Sequence, residues 1–243
     1  MEFTSENDKV NVSDLSSIND IVNIYYINLD IRIDRKYHIE NQLKLLNWNG
    51  KRFSAIKYSF GALGCSLSHL ALLKYAKHKK LTHILILEDD VTFLEPSLFL
   101  NNLNKFLEIH KDFDVLLLAG NNMGEYKHID EYCVKVSHCQ TTTAYLVKNH
   151  YFDTLIKNYE DGINLLQLYP NKREFYAIDQ YWSLLQTKDN WNLLTPLTVI
   201  QRPDISDIEK RVINYKSCML DLDKNAFKKK QQELAALKTL NII

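Results

Sequence analysis

Apolar positions along the chain switch repeatedly between two periods. Residues 23–29 (Asn-Ile-Tyr-Tyr-Ile-Asn-Leu) are rich in β-branched and aromatic side chains and stop at Asp30, which predicts an opening strand. Ile39, Leu43 and Leu46 then recur at helical spacing over residues 35–46, and Asn49-Gly50 supplies a turn. Arg52 to Ile56 reads as a second short strand. Gly61 and Gly64 lead into Leu67, Leu70 and Ala71, an i, i+3, i+4 set that opens a helix running toward Lys80. Ile84-Leu85-Ile86-Leu87 is continuously apolar, as in a strand covered on both faces, and ends abruptly at Glu88-Asp89-Asp90. A helical segment over 97–109 leads to a second such run, Val115-Leu116-Leu117-Leu118-Ala119, which ends at Gly120. Further strands are predicted at 132–137 and 143–147, and helices near 151–159 and 177–187. Leu193 to Ile200 reads as a late strand that Pro196 splits or confines to an edge.

This alternation predicts one α/β domain over residues 21–243, with a mostly parallel, mixed central sheet flanked by helices. Residues 1–20 lack apolar periodicity and read as a flexible arm, and Asn225 to Ile243 as a helical tail. Composition changes the picture little. A chain of 243 residues buries one substantial core. Its 30 basic and 30 acidic side chains balance, which argues against a dedicated nucleic-acid binder and leaves room for a local positive cleft. Cys65, Cys133, Cys139 and Cys218 form no CxxC pair and are expected to be reduced. The first 20 residues lack the apolar core of a signal peptide, and no stretch approaches the ~18 apolar residues of a membrane span. A cytoplasmic location is therefore expected.

Candidate chemistry gathers at the acids. In open α/β sheets, ligands bind beyond the carboxyl ends of the strands, where Glu88, Asp89 and Asp90 stand. Adjacent carboxylates repel unless a cation or hydrogen-bond donors offset them. Oxygen-rich groups of this kind suit Mg²⁺ or Mn²⁺ holding a nucleotide diphosphate, although a solvated strand-end loop would look the same locally. Gly61 to His69 places a turn before a helix N-terminus, where backbone N–H groups can meet an anion. It is neither a P-loop nor GxGxxG, and Ser66 could simply cap the helix. His69 by itself fits a packed histidine as well as a site residue.

Three segments in order carry a resemblance: Ile27-Asn28-Leu29-Asp30-Ile31-Arg32-Ile33-Asp34-Arg35, Gly61 to His69, and Leu85-Ile86-Leu87-Glu88-Asp89-Asp90-Val91. With Thr143-Ala144-Tyr145-Leu146, the Asp179 region and Gln201 to Ile208, the chain resembles glycosyltransferase family 25 over roughly residues 21–210. That family includes bacterial lipooligosaccharide galactosyltransferases and procollagen galactosyltransferases. The resemblance implies a GT-A type fold, a UDP-hexose donor (galactose or glucose), a divalent metal, inversion at the anomeric carbon, and a glycan or hydroxylysine-containing acceptor. Carried over, it puts Asn28, Asp30 and Arg35 at the nucleotide edge, and Gly64, Ser68 and His69 along the donor pocket. Glu88, Asp89 and Asp90 would form a D-x-D-like motif, with Asp90 on the metal and Glu88 on ribose or water.

Inverting transfer needs a base for the acceptor hydroxyl. Asp179, an acid inside an apolar helical stretch, is the candidate, with Asp153 and Asp207 as alternatives. Some metal-dependent relatives of this fold class use a late histidine as a ligand. This chain has none after His150, so Asp207 or water would complete the metal site. Trp182 and Trp191 are candidate sugar-stacking faces or core residues. Two other functions fit the same residues: a non-catalytic sugar-nucleotide binding module, and a Mg-dependent nucleotidyltransferase or phosphatase.

Overall fold

The computed structural model describes residues 15–205 and 211–224. In chain order the strands and helices begin with β1 (Ile24–Asn28), α1 (Ile33–Leu45), β2 (Lys51–Ser54), α2 (Gly61–His78), β3 (His83–Glu88), β4 (Val91–Phe93) and α3 (Pro96–Ile109). They continue with β5 (Val115–Leu117), β6 (Asn121–Asn122), β7 (Tyr126–His128), β8 (Cys133–Val136), β9 (Cys139–Gln140), β10 (Ala144–Lys148) and α4 (Phe152–Leu168). Three one-turn helices follow: α5 (Arg173–Tyr176), α6 (Ile178–Tyr181) and α7 (Ser183–Gln186). The rest are β11 (Trp191–Leu194), β12 (Val199–Gln201), β13 (Asp204–Ile205), β14 (Val212–Ile213) and α8 (Lys216–Leu220).

The central sheet has 8 strands in the order β2-β1-β3-β10-β5-β11-β8-β7. β10 and β8 run against the other strands, so the sheet is mixed with most strands in one direction. Its continuous apolar runs follow from burial on both faces. Tyr25, Ile27, Ile84, Ile86, Tyr145 and Val147 join one core, under α2 and α4. Their neighbours Ile24, Tyr26, Leu85, Leu87, Ala144 and Leu146 join the other, under α1 and α3. Alternate side chains of each strand thus anchor opposite layers, as the period of two requires.

Several expectations need amendment. Leu15 is buried in the second core, so the arm read over residues 1–20 is packed from at least that point. Residues 1–14, Asp207 and the tail 225–243 lie outside the described residues. Gly61 and Gly64 do not form a turn ahead of a helix; they are its first turn, and Ser66 Oγ donates back to Ala62 O at 2.9 Å inside it instead of capping. The helix expected over 177–187 is broken, because Ala177 is extended (φ −59°, ψ 150°) between α5 and α6. Beyond that break Trp182 is fully buried and donates from Nε1 to Cys139 O at 2.9 Å. Its ring packs on the equally buried Trp191 at 5.2 Å, so neither indole offers a face to a sugar. Pro196 does split the late strand, but β11 lies inside the sheet between β5 and β8 rather than at an edge.

Candidate active site

The acids stand at one end of the sheet because β3 is central. Glu88 closes the strand, its N–H donating to Thr143 O at 2.8 Å just before β10 begins. Asp89 and Asp90 form the turn into β4, which pairs with β12 and so sets Gln201 opposite Val91. Asn28, at the same end of β1, donates from Nδ2 to Asp89 Oδ2 at 2.7 Å. Both of these contacts join residues distant in sequence.

One guanidinium meets most of the negative charge. Arg35 Nη1 lies 3.2 Å from Asp89 Oδ1 and 2.8 Å from Asp90 Oδ2, and its Nε donates to Asp204 at 3.0 Å. Gln201 Nε2 also donates to Asp90 Oδ2, at 2.9 Å. These donors do not offset three carboxylates. Burial, together with the charges of Glu88 and Asp89, pushes Asp90 up to about 7 against the pull of Arg35. Asp89 is raised as well, by burial above all. Asp90 Oδ1 is buried and has no hydrogen-bond partner.

Glu88 is treated differently. Its Oε1 receives Thr142 Oγ1 at 2.6 Å and lies 3.2 Å from His69 Nε2. Burial raises its pKa, but the His69 contact, the Thr142 hydroxyl and Arg35 outweigh it and leave Glu88 below the usual glutamate range. His69 is buried, and its Nδ1 meets Tyr145 Oη at 2.8 Å.

Two cavities meet at this carboxylate. The first, about 390 Å³, is walled by Arg35, Lys57, Gly64, Ser68, His69 and the three acids, among others. The second, about 340 Å³, shares Cys65, Glu88 and Gln201 with it and contains Asp179. Asp179 accepts the Thr141 backbone N–H at 3.2 Å, and Thr141 is held at φ 76°. A non-glycine residue in that region is strained, and such strain concentrates at functional sites.

The structure sorts the expected residues. Arg35, Gly64, Ser68, His69, Glu88, Asp89 and Asp90 converge on the first cavity, and Asp179 lies in the second. Asn28 is buried beneath the acids, where its Oδ1 also accepts Arg52 Nε at 2.9 Å. Asp30 does not line either cavity; it is exposed and pairs with Arg52 at 2.5 Å. Asp153 is exposed on α4 and pairs with Lys77, away from both cavities. Cys65, Thr142, Tyr145 and Gln201 were given no role by sequence. Tyr145 and Gln201 fall in family-like segments, but their partners are 76 and 111 positions away.

Gly64 and Ser68 explain the shape of the first cavity. A Cβ on Gly64 would stand 2.8 Å from Ile56 O and 3.2 Å from Tyr58 Cβ, so only glycine lets the 55–58 loop cross α2 this closely. One turn on, Ser68 Oγ accepts the Ile56 N–H at 2.8 Å and donates to Gly64 O at 2.7 Å. Gly64→Ala is therefore expected to push the loop outward, costing about 1–3 kcal/mol for overpacking, less the ~1 kcal/mol that alanine gains in a helix. Thermal melting should show a lower Tm. An unchanged Tm would show that the loop does not need this contact.

As for metals, ligand-type atoms of Cys65, His69 and Glu88 lie within 4.8 Å of one another. Burial holds the Cys65 thiol well above its ordinary pKa, which makes it a poor ligand. The partnerless Oδ1 of Asp90, beside uncompensated negative charge, fits a hard divalent cation better.

A glycosyltransferase involved in glycosylation of the major capsid of PBCV-1 is 10% identical, with a TM-score of 0.41 over 70% of this chain and 80% of that one. A nucleoside-diphosphate-sugar pyrophosphorylase from Vibrio cholerae RC9 is 14% identical, with a TM-score of 0.34 over 77% of this chain and 82% of that one. No curated protein matches the sequence. Among the described residues no helix is long and apolar enough to cross a membrane. The model of glycosyltransferase family 25 (LPS biosynthesis protein) matches residues 57–179, just over half of the chain. Gly64, Ser68, His69, the three acids and Asp179 all fall within that match, and the chain belongs to glycosyltransferase family 25.

Proposed function

We propose that this glycosyltransferase is an inverting, metal-assisted enzyme that moves galactose or glucose from a UDP-hexose to a hydroxyl of a glycan or hydroxylysine-containing acceptor. The observation that carries the reading is the pair of cavities meeting at Glu88, one walled by the acids and α2, the other holding Asp179. Both fall in the size range of small-ligand sites.

In this reading the donor occupies the first cavity, with Arg35 and Lys57 supplying positive charge near the diphosphate. Mn²⁺ or Mg²⁺ would be held by Asp90, with Asp207 or water completing its shell. Such a cation offsets the charge that builds on a departing diphosphate. The acceptor hydroxyl enters from the second cavity, and Asp179 takes its proton as the oxygen bonds to the anomeric carbon. The bond from that carbon to UDP breaks on the opposite side, and UDP leaves with the electron pair. Burial suits Asp179 to the task by raising its pKa above that of an exposed carboxylate.

The test is incubation with UDP-galactose and UDP-glucose in Mn²⁺ with free sugars as acceptors, followed by UDP release. A binding module retains the donor unchanged, and a nucleotidyltransferase makes or consumes pyrophosphate instead. Absence of UDP release from either donor, in a protein that binds UDP, would remove this reading.

A further inference from the structure

Behind Glu88 a hydrogen-bonded relay crosses the interior from α4 to β3. Tyr159 Oη lies 3.2 Å from Tyr145 Oη, Tyr145 Oη 2.8 Å from His69 Nδ1, and His69 Nε2 3.2 Å from Glu88 Oε1. Tyr159, Tyr145 and His69 are each at most 2% exposed, whereas the Glu88 side chain is 19% exposed in the wall that the two cavities share. The relay is sealed at its far end and open only where a ligand would lie.

The carboxylate sets its polarity. A carboxylate only accepts, so an imidazole with a single proton presents Nε2–H to Glu88. Nδ1 is then an acceptor and needs the Tyr145 O–H, and the freed Tyr145 oxygen accepts the Tyr159 O–H. Each phenol has one proton to give, and every donor in the chain points toward Glu88. Without the Tyr145 hydroxyl, Nδ1 becomes a buried acceptor with no donor, and that tautomer rests on the Glu88 contact alone. The alternative tautomer turns the Nε2 lone pair on Glu88 Oε1, and the carboxylate is pushed from its place between the cavities.

We propose that Tyr145 is a positioning residue for sugar transfer: through the His69 tautomer it fixes Glu88 at the boundary where donor and acceptor meet. This rests on the reading of the two cavities given above. Glu88 is the group that touches the ligands; Tyr145 acts only through His69, and Tyr159 orients Tyr145.

The test combines a tautomer measurement with kinetics. In the wild-type protein, long-range ¹H–¹⁵N NMR of the histidine rings should find His69 as the Nε2–H form, and Tyr145→Phe should convert it to a mixture or to the Nδ1–H form. UDP release in Tyr145→Phe should fall on the order of 10- to 100-fold in kcat, with the donor KM within about twofold of wild type. In a His69→Gln background, whose side-chain amide donates to Glu88 whatever stands at 145, adding Tyr145→Phe should cost much less, a coupling that a double-mutant cycle reads directly. A merely structural tyrosine would lower the melting temperature and leave tautomer and kcat alone. An Nδ1–H histidine in the wild type, an unchanged kcat in Tyr145→Phe, or additive effects in the cycle would each overturn the proposal. Wild-type protein that releases no UDP would overturn the functional reading instead, and the tautomer measurement would still decide whether Tyr145 directs His69.

Discussion

Asp90→Asn is expected to reduce UDP release from UDP-hexose by on the order of 10³-fold, several kcal/mol of lost stabilisation of the departing diphosphate, while leaving the fold intact. The substitution preserves shape, and Arg35 keeps Asp89 and Asp204 as partners. Wild-type protein should bind UDP more tightly in Mn²⁺ than in chelator, and Asp90→Asn should lose that difference. Stability should move the other way from activity. The folded pKa of Asp90 is about 7 against an ordinary 3.8, so the stability linked to its proton is present below about 3.8 and lost as the pH rises through about 7. At pH 8 in chelator the ionised carboxylate weakens the native state, and the neutral amide does not. The variant should therefore melt no lower than wild type under those conditions. Equal UDP affinity with and without metal in the wild-type protein would dispose of the metal reading.

Much of the frame could be read in advance because burial on both faces leaves a plain mark. Ile84 to Leu87 and Val115 to Leu117 are continuously apolar since alternate side chains feed two separate cores. The short strands Asn121–Asn122, Tyr126–His128 and Cys139–Gln140 have no such mark, being two or three residues long and largely polar. The break at Ala177 has no glycine or proline to announce it. It answers to tertiary demands: Trp182 must reach the core, and Asp179 must reach the Thr141 backbone.

The site divides along a similar line. Its three motifs stand out as local strings, and their residues do converge. What a string does not show is who meets whom. Arg35, expected beside a nucleotide, spans Asp89 and Asp90, 54 and 55 positions away. Asn28 braces Asp89 from below the cavity, and Asp30 pairs with Arg52 outside it. Gly64 and Ser68 belong to the wall because a loop crosses them, a relation fixed by volume that no spacing records.

Asp179→Asn is expected to lower turnover by on the order of 10²–10⁴-fold, the usual cost of removing a general base, with UDP affinity and metal dependence near wild type. Position and chemistry converge on this residue. Asp153 is exposed and paired with Lys77, which withdraws one alternative, and Asp207 lies outside the described residues. The second cavity contains three carboxylates, Glu88, Glu174 and Asp179. Glu88 is engaged by Thr142 and His69 and held below the usual range, so it is a weak proton acceptor. Glu174 is exposed to solvent. The pKa of Asp179 is raised by burial and by the charge of Glu88, against the opposing Thr141 N–H. A base works in its ionised form, so activity should fall as the pH drops through this raised pKa, and the acidic limb of the wild-type kcat profile should lie above that of an exposed aspartate. Asp179→Asn should retain its residual rate without that limb. If the limb persists in the variant, another group is the base; if UDP affinity falls in step with turnover, Asp179 serves the donor rather than the acceptor.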